Sequence, residues 1–170
     1  MTLQPQLQVL EARGLVDVAV IQPELEYLFR HALVQEAAYT SLVKSDRKQL
    51  HLSVGLALEQ VYPDRLSELA PRLGLHFFEA GDDERALKYL MLAGDAAFGR
   101  YANAEAVLHY TRALEAGRGL AASAQLMHLY TRRGRALELG GRYAEALTNY
   151  AELETAGRER VGIDSAGFRK

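Results

Sequence analysis

Apolar and small residues recur at helical spacing through the C-terminal half of the chain. From residue 127 to residue 160 they lie three and four positions apart, as on a helix that buries one face. Gly140-Gly141 interrupts the pattern, and glycine permits the positive φ of a tight turn. The pattern therefore predicts two antiparallel helices of about 122–139 and 142–156.

The same arrangement of small and bulky residues occurs 60 positions earlier, counting from Gly134 back to Gly74. The matched residues are, in order, Gly74, Gly81, Asp83, Ala86, Leu90 and Ala93 against Gly134, Gly141, Tyr143, Ala146, Tyr150 and Leu153. A partial third copy matches the second helix only, and consists of Ala106, Tyr110 and Ala113. Small residues are expected where two helices cross closely. The bulky residues expected to fill the remaining space are Tyr130, Leu137, Tyr143, Tyr150 and Leu153.

Paired helices with these small residues are close to the tetratricopeptide repeat of roughly 34 residues. One helical pair cannot bury its apolar face alone, so the pattern requires neighbouring pairs. Because an offset of 60 residues from Gly74 to Gly134 is not a multiple of roughly 34, we expect an irregular array. The predicted fold class is all-α, a short α-solenoid of tetratricopeptide-like helical hairpins with a small N-terminal helix plus β-hairpin.

The N-terminal region has a different pattern. Leu3, Leu7 and Leu10 share one face of a short helix of about residues 3–13. Two runs with alternating or continuous apolar residues follow, and Gln22-Pro23 separates them as a turn. They predict a β-hairpin of about 15–21 and 25–30. A helix followed by a hairpin is the second half of a winged-helix unit.

Helical periodicity from Ala32 onward completes the expected organisation. Ser45 is the expected N-cap of the second helix in this stretch. Pro71 is expected to be either a kink in a later helix or its true start. The acidic triplet Asp82-Asp83-Glu84 is expected to begin a further helix. The expected segments are a winged-helix remnant at about 1–31, connecting helices at 32–64, repeats at 65–160, and a tail or incomplete next helix at 161–170.

Composition narrows the class of protein without identifying a reaction. The chain is 49% hydrophobic and 25% charged, with a net charge of −2 and no cysteine. This balance favours a folded, cytoplasmic protein and excludes disulfides and cysteine-based zinc sites. We expect no membrane partner, because no apolar run approaches the roughly 20 residues of a membrane span.

The sequence offers no catalytic, cofactor or metal motif, so we expect a non-enzymatic protein without a cofactor. The five histidines form no i,i+4 pair, and no phosphate-binding loop or GxSxG sequence occurs. The expected roles of the histidines are on the surface or in helix packing. Most tyrosines are likewise expected to pack between helices.

Two groups of basic residues indicate a docking surface or a solvated face. Lys44, Arg47 and Lys48 form one group, and the other lies in the repeat, at Arg132, Arg133, Arg135 and Arg142. We expect partner contacts at Tyr130, Arg133 and Leu137. Nucleic acid is not the expected partner, because residues 1–30 carry more acidic than basic side chains.

A second set of residues carries a family resemblance. The run Tyr27 to Leu42, YLFRHALVQEAAYTSL, followed by Arg47, Leu50 and His51, resembles the segment after the ATPase module in bacterial signal-transduction ATPases of the STAND type. The stretch from Leu73-Gly74 to Ala106 looks like the start of their repeat region. The resemblance covers about residues 5–156, and the run around Phe29 is its most specific part.

In that family a P-loop ATPase module leads into a winged helix and then into tetratricopeptide-like repeats. Many members also carry a class III adenylate/guanylate cyclase or a transcription-regulator domain. The resemblance implies a piece of a longer protein that begins inside the winged helix and contacts an ATPase module. No catalytic residue is carried over, because the phosphate loop and its magnesium-binding acid have no counterpart in this sequence.

The leading hypothesis is a protein–protein interaction scaffold, the regulatory or sensor segment of such an ATPase, binding a protein or peptide. Two alternatives are a helical sensor of a small-molecule inducer and a DNA-binding winged-helix fragment. We also expect self-association through exposed terminal helices, because the end of the repeat array lacks an obvious polar cap.

Overall fold

A computed structural model describes residues 3–20, 26–120 and 123–167 of the chain, and it is mostly helical. Over these residues it contains eight α-helices, one 3-10 helix and one antiparallel β-hairpin. The elements are α1 Gln4–Ala12, β1 Val16–Val20, β2 Glu26–Phe29, α2 Ala32–Ser41, α3 Lys44–Val61, the 3-10 helix Pro63–Arg65, α4 Ala70–Ala80, α5 Asp83–Gly99, α6 Asn103–Ala116, α7 Ser123–Leu139 and α8 Tyr143–Gly167. None of the helices described is both long and apolar enough to cross a membrane.

The chain divides into two compact units, Met1–Arg47 and Lys48–Lys170. In the first unit, β1 pairs with β2 in antiparallel register, with Val16 opposite Phe29 and a bulge after Val18. Asp17 and Arg30 form an exposed salt bridge of 2.8 Å across the hairpin. The predicted small N-terminal helix and hairpin are therefore confirmed, whereas the predicted turn at Gln22-Pro23 lies outside the described residues.

Several predicted helix boundaries need correction or refinement. Ser45 is not an N-cap, because α3 already begins at Lys44. Pro71 lies in the first turn of α4, where its missing N–H has no helical partner to lose, and so marks a true start. The last helix does not end near residue 156, because α8 continues to Gly167 and an ion pair between Glu154 and Arg158 spans one turn of it.

In the second unit, consecutive helices from α4 to α8 pack against one another in chain order. Their small and apolar residues form one continuous core. The largest fully buried side chains are Tyr89, Tyr110, Phe77, Leu73, Leu90, Leu129 and Asn149. The expected packing role of the tyrosines thus holds for Tyr89 and Tyr110, but not for Tyr143, which is 67% exposed at the first residue of α8.

Four successive helices begin at a constant interval. The first residues of α5 to α8 are Asp83, Asn103, Ser123 and Tyr143, each 20 residues after the previous one. The 60-residue offset seen in the sequence therefore corresponds to three helices rather than to a whole number of helical pairs. The array is more regular than the sequence analysis predicted, because the repeating unit is one helix and its turn.

Glycines at equivalent places in this interval allow close helix contacts. A Cβ atom at Gly74 would lie 2.9 Å from the side chain of Leu90 on the next helix. At Gly94 it would lie 2.6 Å from the ring of Tyr110, and at Gly134 it would lie 2.5 Å from the ring of Tyr150. Real Cβ atoms do not approach so closely, so a glycine is required at each of these crossings. We call these three the glycine-packed interfaces: α4/α5, α5/α6 and α7/α8.

The interface between α6 and α7 departs from this arrangement. The residue 20 positions after Gly94 is Leu114, and the residue 20 positions after Tyr110 is Tyr130. Leu114 is buried in the core, while Tyr130 is only partly buried. A leucine side chain fills the space that glycine leaves open for an aromatic ring. We call α6/α7 the leucine-packed interface.

The turns between helices repeat with the same interval. Gly81 and Gly141 adopt φ values of 80° and 73°, in the left-handed region that glycine enters without a Cβ penalty. Asp82 then caps α5 by accepting a hydrogen bond of 3.1 Å from the backbone N–H of Arg85, which confirms the helix start predicted at the acidic triplet.

Candidate functional site

An open groove of about 900 Å³ lies in the second unit between α6, α7 and α8. Side chains of all three helices line it, together with Arg118 and Gly119 from the turn after α6. The lining residues are Thr111, Leu114, Glu115, Arg118, Gly119, Leu126, Tyr130, Arg133, Thr148, Ala151, Glu152, Thr155 and Ala156. Its volume is within the range of known ligand sites, which is about 300–1,000 Å³.

The groove coincides with the places where the 20-residue pattern changes. Leu114 stands where α4, α5 and α7 have glycine, and Leu126 stands where α5, α6 and α8 have alanine. Arg133 stands where α4, α5, α6 and α8 have leucine or alanine. All three residues line the groove. The chain thus departs from its own packing rule at the groove, and such departures are typical of functional surfaces.

Arg133 is held in place by three neighbours. Its Nε donates a 2.6 Å hydrogen bond to Asn149 Oδ1, and a terminal nitrogen donates to a carboxylate oxygen of Glu152 at 2.5 Å. The guanidinium also stacks over the ring of Tyr130, 5.2 Å from its centroid. Asn149, itself buried, donates to the backbone carbonyl of Tyr130 at 2.8 Å. The charge of Arg133 is therefore matched inside the groove, and only 13% of its side chain is exposed.

The hydroxyl of Tyr130 differs from those of the equivalent tyrosines. Tyr110 donates to Asp95 at 2.7 Å, and Tyr150 donates to Glu138 at 3.1 Å. Burial, and then the hydrogen bond to a carboxylate, raises the pKa of both phenols above the ordinary value. Tyr130 has no hydrogen-bond partner for its hydroxyl among the described residues. That hydroxyl is therefore available to a ligand in the groove.

Glu115 and Arg118 form the second distinctive feature of the groove. Arg65, Arg85, Arg135 and Arg142 each form a salt bridge of 2.6 to 2.9 Å with a carboxylate three residues away. Arg118 has Glu115 at the same spacing, yet neither side chain has an ion pair or hydrogen bond within the described part of the chain. Arg118 lies beyond α6, which ends at Ala116, and its backbone N–H donates a 3.3 Å hydrogen bond to the carbonyl of Glu115.

The groove offers both polar and apolar contacts for a ligand. Its lining contains hydroxyl, carboxylate, guanidinium and apolar groups, and it has no cysteine, histidine or lysine. The hydroxyls of Thr111, Thr148 and Thr155 donate to backbone carbonyls of their own helices. Among the residues described, no three His, Cys, Asp or Glu side chains are grouped so as to hold a metal ion.

The three residues expected to contact a partner do not share one environment. Tyr130 and Arg133 lie in the groove and touch each other. Leu137, one turn further along α7, is 3% exposed and belongs to the core. Its burial leaves no surface for a partner, so the candidate site consists of Tyr130 and Arg133 together with Glu115, Arg118 and Glu152.

Sequence reasoning missed Glu115 and Arg118, and it also missed a histidine pair. His51 on α3 and His76 on α4 approach within 3.0 Å between their Nδ1 atoms, although they are far apart in sequence. The pKa of His76 is lowered, chiefly by burial and then by the charges of His51 and Arg72. No sequence signal links these histidines. Leu114, Leu126 and Arg133 had such a signal, because alignment at a 20-residue interval shows that each differs from its equivalents.

No protein-family model matches the chain, and neither a curated protein nor a solved structure matches it. The functional assignment therefore rests on the residues of the groove and on their departures from the internal repeat.

Proposed function

We propose that this chain is a non-enzymatic interaction module that binds a segment of a partner protein in the groove between α6, α7 and α8. The observation that carries the proposal is that Leu114, Leu126 and Arg133, three residues that differ from their equivalents at the 20-residue interval, all line this groove. The Tyr130 hydroxyl and the side chains of Glu115 and Arg118, which have no hydrogen-bond or ion-pair partner among the described residues, add hydrogen-bonding capacity next to apolar groups. This combination suits a peptide, which presents both backbone polar groups and side chains.

We further propose that α4 to α8 form an α-solenoid of tetratricopeptide-like helical hairpins. The constant 20-residue interval and the three glycine-packed interfaces support this architecture. In a solenoid each helix contacts mainly its neighbours, and stacked helices create an extended binding surface. The interval corresponds to about 40 residues for two helices, which is longer than the usual tetratricopeptide unit of roughly 34.

The resemblance of residues 27–42 to STAND-type ATPases is our reason for proposing a signalling context. We propose that it is the regulatory segment of such a protein, that it acts in the cytoplasm, and that it contacts an ATPase module. Exposed apolar side chains in the first unit support a packing role of this kind, since surfaces of this composition usually meet another protein surface. They include Leu28, Leu33 and Val43. Exposed Tyr143 and Leu147 on α8 support self-association in the same way.

A displayed library of random peptides tests the binding function. Ala151 lies in the groove wall, and Ala144 is an equally exposed alanine on the same helix outside the groove. We expect the native chain and Ala144→Trp to retain the same set of peptides, and Ala151→Trp to lose it, because the indole occupies the groove.

Circular dichroism would confirm that both variants fold. Retention of the same peptides by Ala151→Trp would move the binding surface away from the groove. Retention of no peptide by the folded native chain would contradict peptide binding and favour the small-molecule sensor, which ligand-induced thermal stabilisation would test.

A further inference from the structure

The dimensions of the groove limit the length of the segment that it takes, given the proposed function. Its wall on α8 runs from Thr148 to Ala156. With a rise of about 1.5 Å per residue, this wall is about 12 Å long. Because an extended chain advances about 3.3 Å per residue, the groove accommodates roughly three to four extended residues.

The floor of the groove selects an apolar side chain. Leu114, Leu126 and Tyr130 line it together, and each is at least partly buried against the core. Burial of one aliphatic side chain of the ligand against these groups removes apolar surface from water without adding an unpaired polar atom. The hydroxyl of Tyr130 remains available to a carbonyl or carboxylate of the same segment.

The charges of the groove select an acidic neighbour for that apolar side chain. Arg133 is already matched by Glu152 and Asn149, whereas Arg118 has no partner in the described part of the second unit. A carboxylate is the natural partner for a guanidinium, which donates two parallel hydrogen bonds to it. Glu115 lies three residues from Arg118 and would repel a second acidic side chain, so a run of acidic residues is disfavoured.

We propose that the groove recognises an internal, extended segment of roughly three to four residues. In this segment a single acidic residue stands directly before or after one apolar residue. The apolar side chain lies over Leu114, Leu126 and Tyr130, and the carboxylate pairs with Arg118. The inference rests on the proposed function and adds the chemistry of the partner segment.

The peptides retained from the random library would test this specificity, with both peptide termini blocked so that no terminal carboxylate contributes. We expect the native chain to enrich an apolar residue beside a single Asp or Glu. Arg118→Glu should enrich Lys or Arg at that place instead. Arg142→Glu, which changes an arginine outside the groove, should keep the native preference.

Individual peptides would then give the size of the effect by fluorescence anisotropy. Changing the acidic residue to Lys should weaken binding to the native chain by about fivefold or more, and Arg118→Glu should restore the affinity for the Lys peptide. Retained peptides without an enriched acidic residue, or an unchanged preference in Arg118→Glu, would overturn this inference while leaving peptide binding in place. Retention of no peptide would instead contradict the proposed function itself.

Discussion

The glycine-packed and leucine-packed interfaces of the second unit use the same helical interval for different purposes. At α5/α6, Gly94 lets the ring of Tyr110 reach the neighbouring helix, and the Tyr110 hydroxyl is paired with Asp95. At α6/α7, Leu114 occupies the place of the glycine, and the hydroxyl of Tyr130 has no partner among the described residues. At α5/α6 the tyrosine hydroxyl is paired inside the protein, whereas at α6/α7 the tyrosine hydroxyl is available to a ligand beside apolar side chains.

This difference shows how a repeated structure can form a groove. A few substitutions within one interval replace a self-complementary contact with a groove, while the neighbouring interfaces continue to supply the core. Each of the three helices that carry the groove still contributes side chains to the core, such as Ala113, Leu129 and Ala146.

Introducing the leucine into a glycine-packed interface should have the largest effect. In Gly94→Leu, the new side chain would overlap the ring of Tyr110, since even a Cβ atom would lie 2.6 Å from it. We expect a loss of about 3 kcal/mol in the free energy of unfolding, at the upper end of the cost of overpacking. Chemical denaturation followed by circular dichroism would measure it.

The matched control is Gly157→Leu on α8, where a Cβ atom would meet nothing within 4 Å. This variant should keep or slightly raise the stability, because leucine is a better helix former than glycine by about 1 kcal/mol. Equal stability of both variants would show that Gly94 does not lie at a close crossing.

Removing one hydroxyl from each interface should have a smaller effect and a clear asymmetry. Tyr110→Phe breaks a hydrogen bond to the Asp95 carboxylate and should cost about 1.5 kcal/mol. Tyr130→Phe breaks no hydrogen bond within the described residues and should leave the stability within about 0.5 kcal/mol. Thermal unfolding of the two variants, measured side by side, would reveal the difference. A larger loss in Tyr130→Phe would contradict the availability of that hydroxyl.

The smallest expected effect is a pH dependence that comes from His109 on the glycine-packed side. Its imidazole is buried, and burial lowers its pKa, while Glu105 opposes this shift and Arg112 and Arg100 reinforce it. Because the pKa is lower in the folded state than its unfolded value of about 6.5, the unfolded state binds more protons below that pH. The stability contributed by neutral His109 is therefore present above about pH 6.5 and declines as the pH falls toward the folded pKa.

His109→Leu tests this dependence, because Leu129, a buried leucine, occupies the equivalent place on α7. Between about pH 7 and pH 5 we expect this variant to lose less free energy of unfolding than the native chain. Part of the pH dependence that remains comes from His76, whose pKa is also lowered by burial. Denaturation curves at pH 8, where both imidazoles are neutral, provide the reference. An unchanged slope would show that His109 does not contribute.

Sequence reasoning succeeded where local chemistry determines structure. The N-terminal helix and hairpin, the start of α5 and the helix α7 were predicted within a few residues, because apolar periodicity and residues such as Gly81 and Gly141 act over one or two turns. The true length of α8 was missed, since Gly157 and Gly162 suggest a break that the helix does not make.

Tertiary features were less accessible from the sequence. Leu137 was expected on a binding surface, but the choice between core and surface depends on how α7 faces its neighbours, and it lies in the core. The groove requires three helices to come together, and the contact of His51 with His76 requires two. Periodicity along one helix carries no information about such contacts.

The leucine-packed interface also has a consequence for the way the second unit comes apart. In an array where each helix packs mainly on the next, cooperativity is transmitted from neighbour to neighbour, and a less complementary contact divides the array into separate unfolding blocks. The leucine-packed interface α6/α7 would then be the boundary between two unfolding blocks, α4–α6 and α7–α8. Amide protons along this boundary should exchange through local opening, and a partner seated in the groove would bridge the two blocks and make them unfold as one.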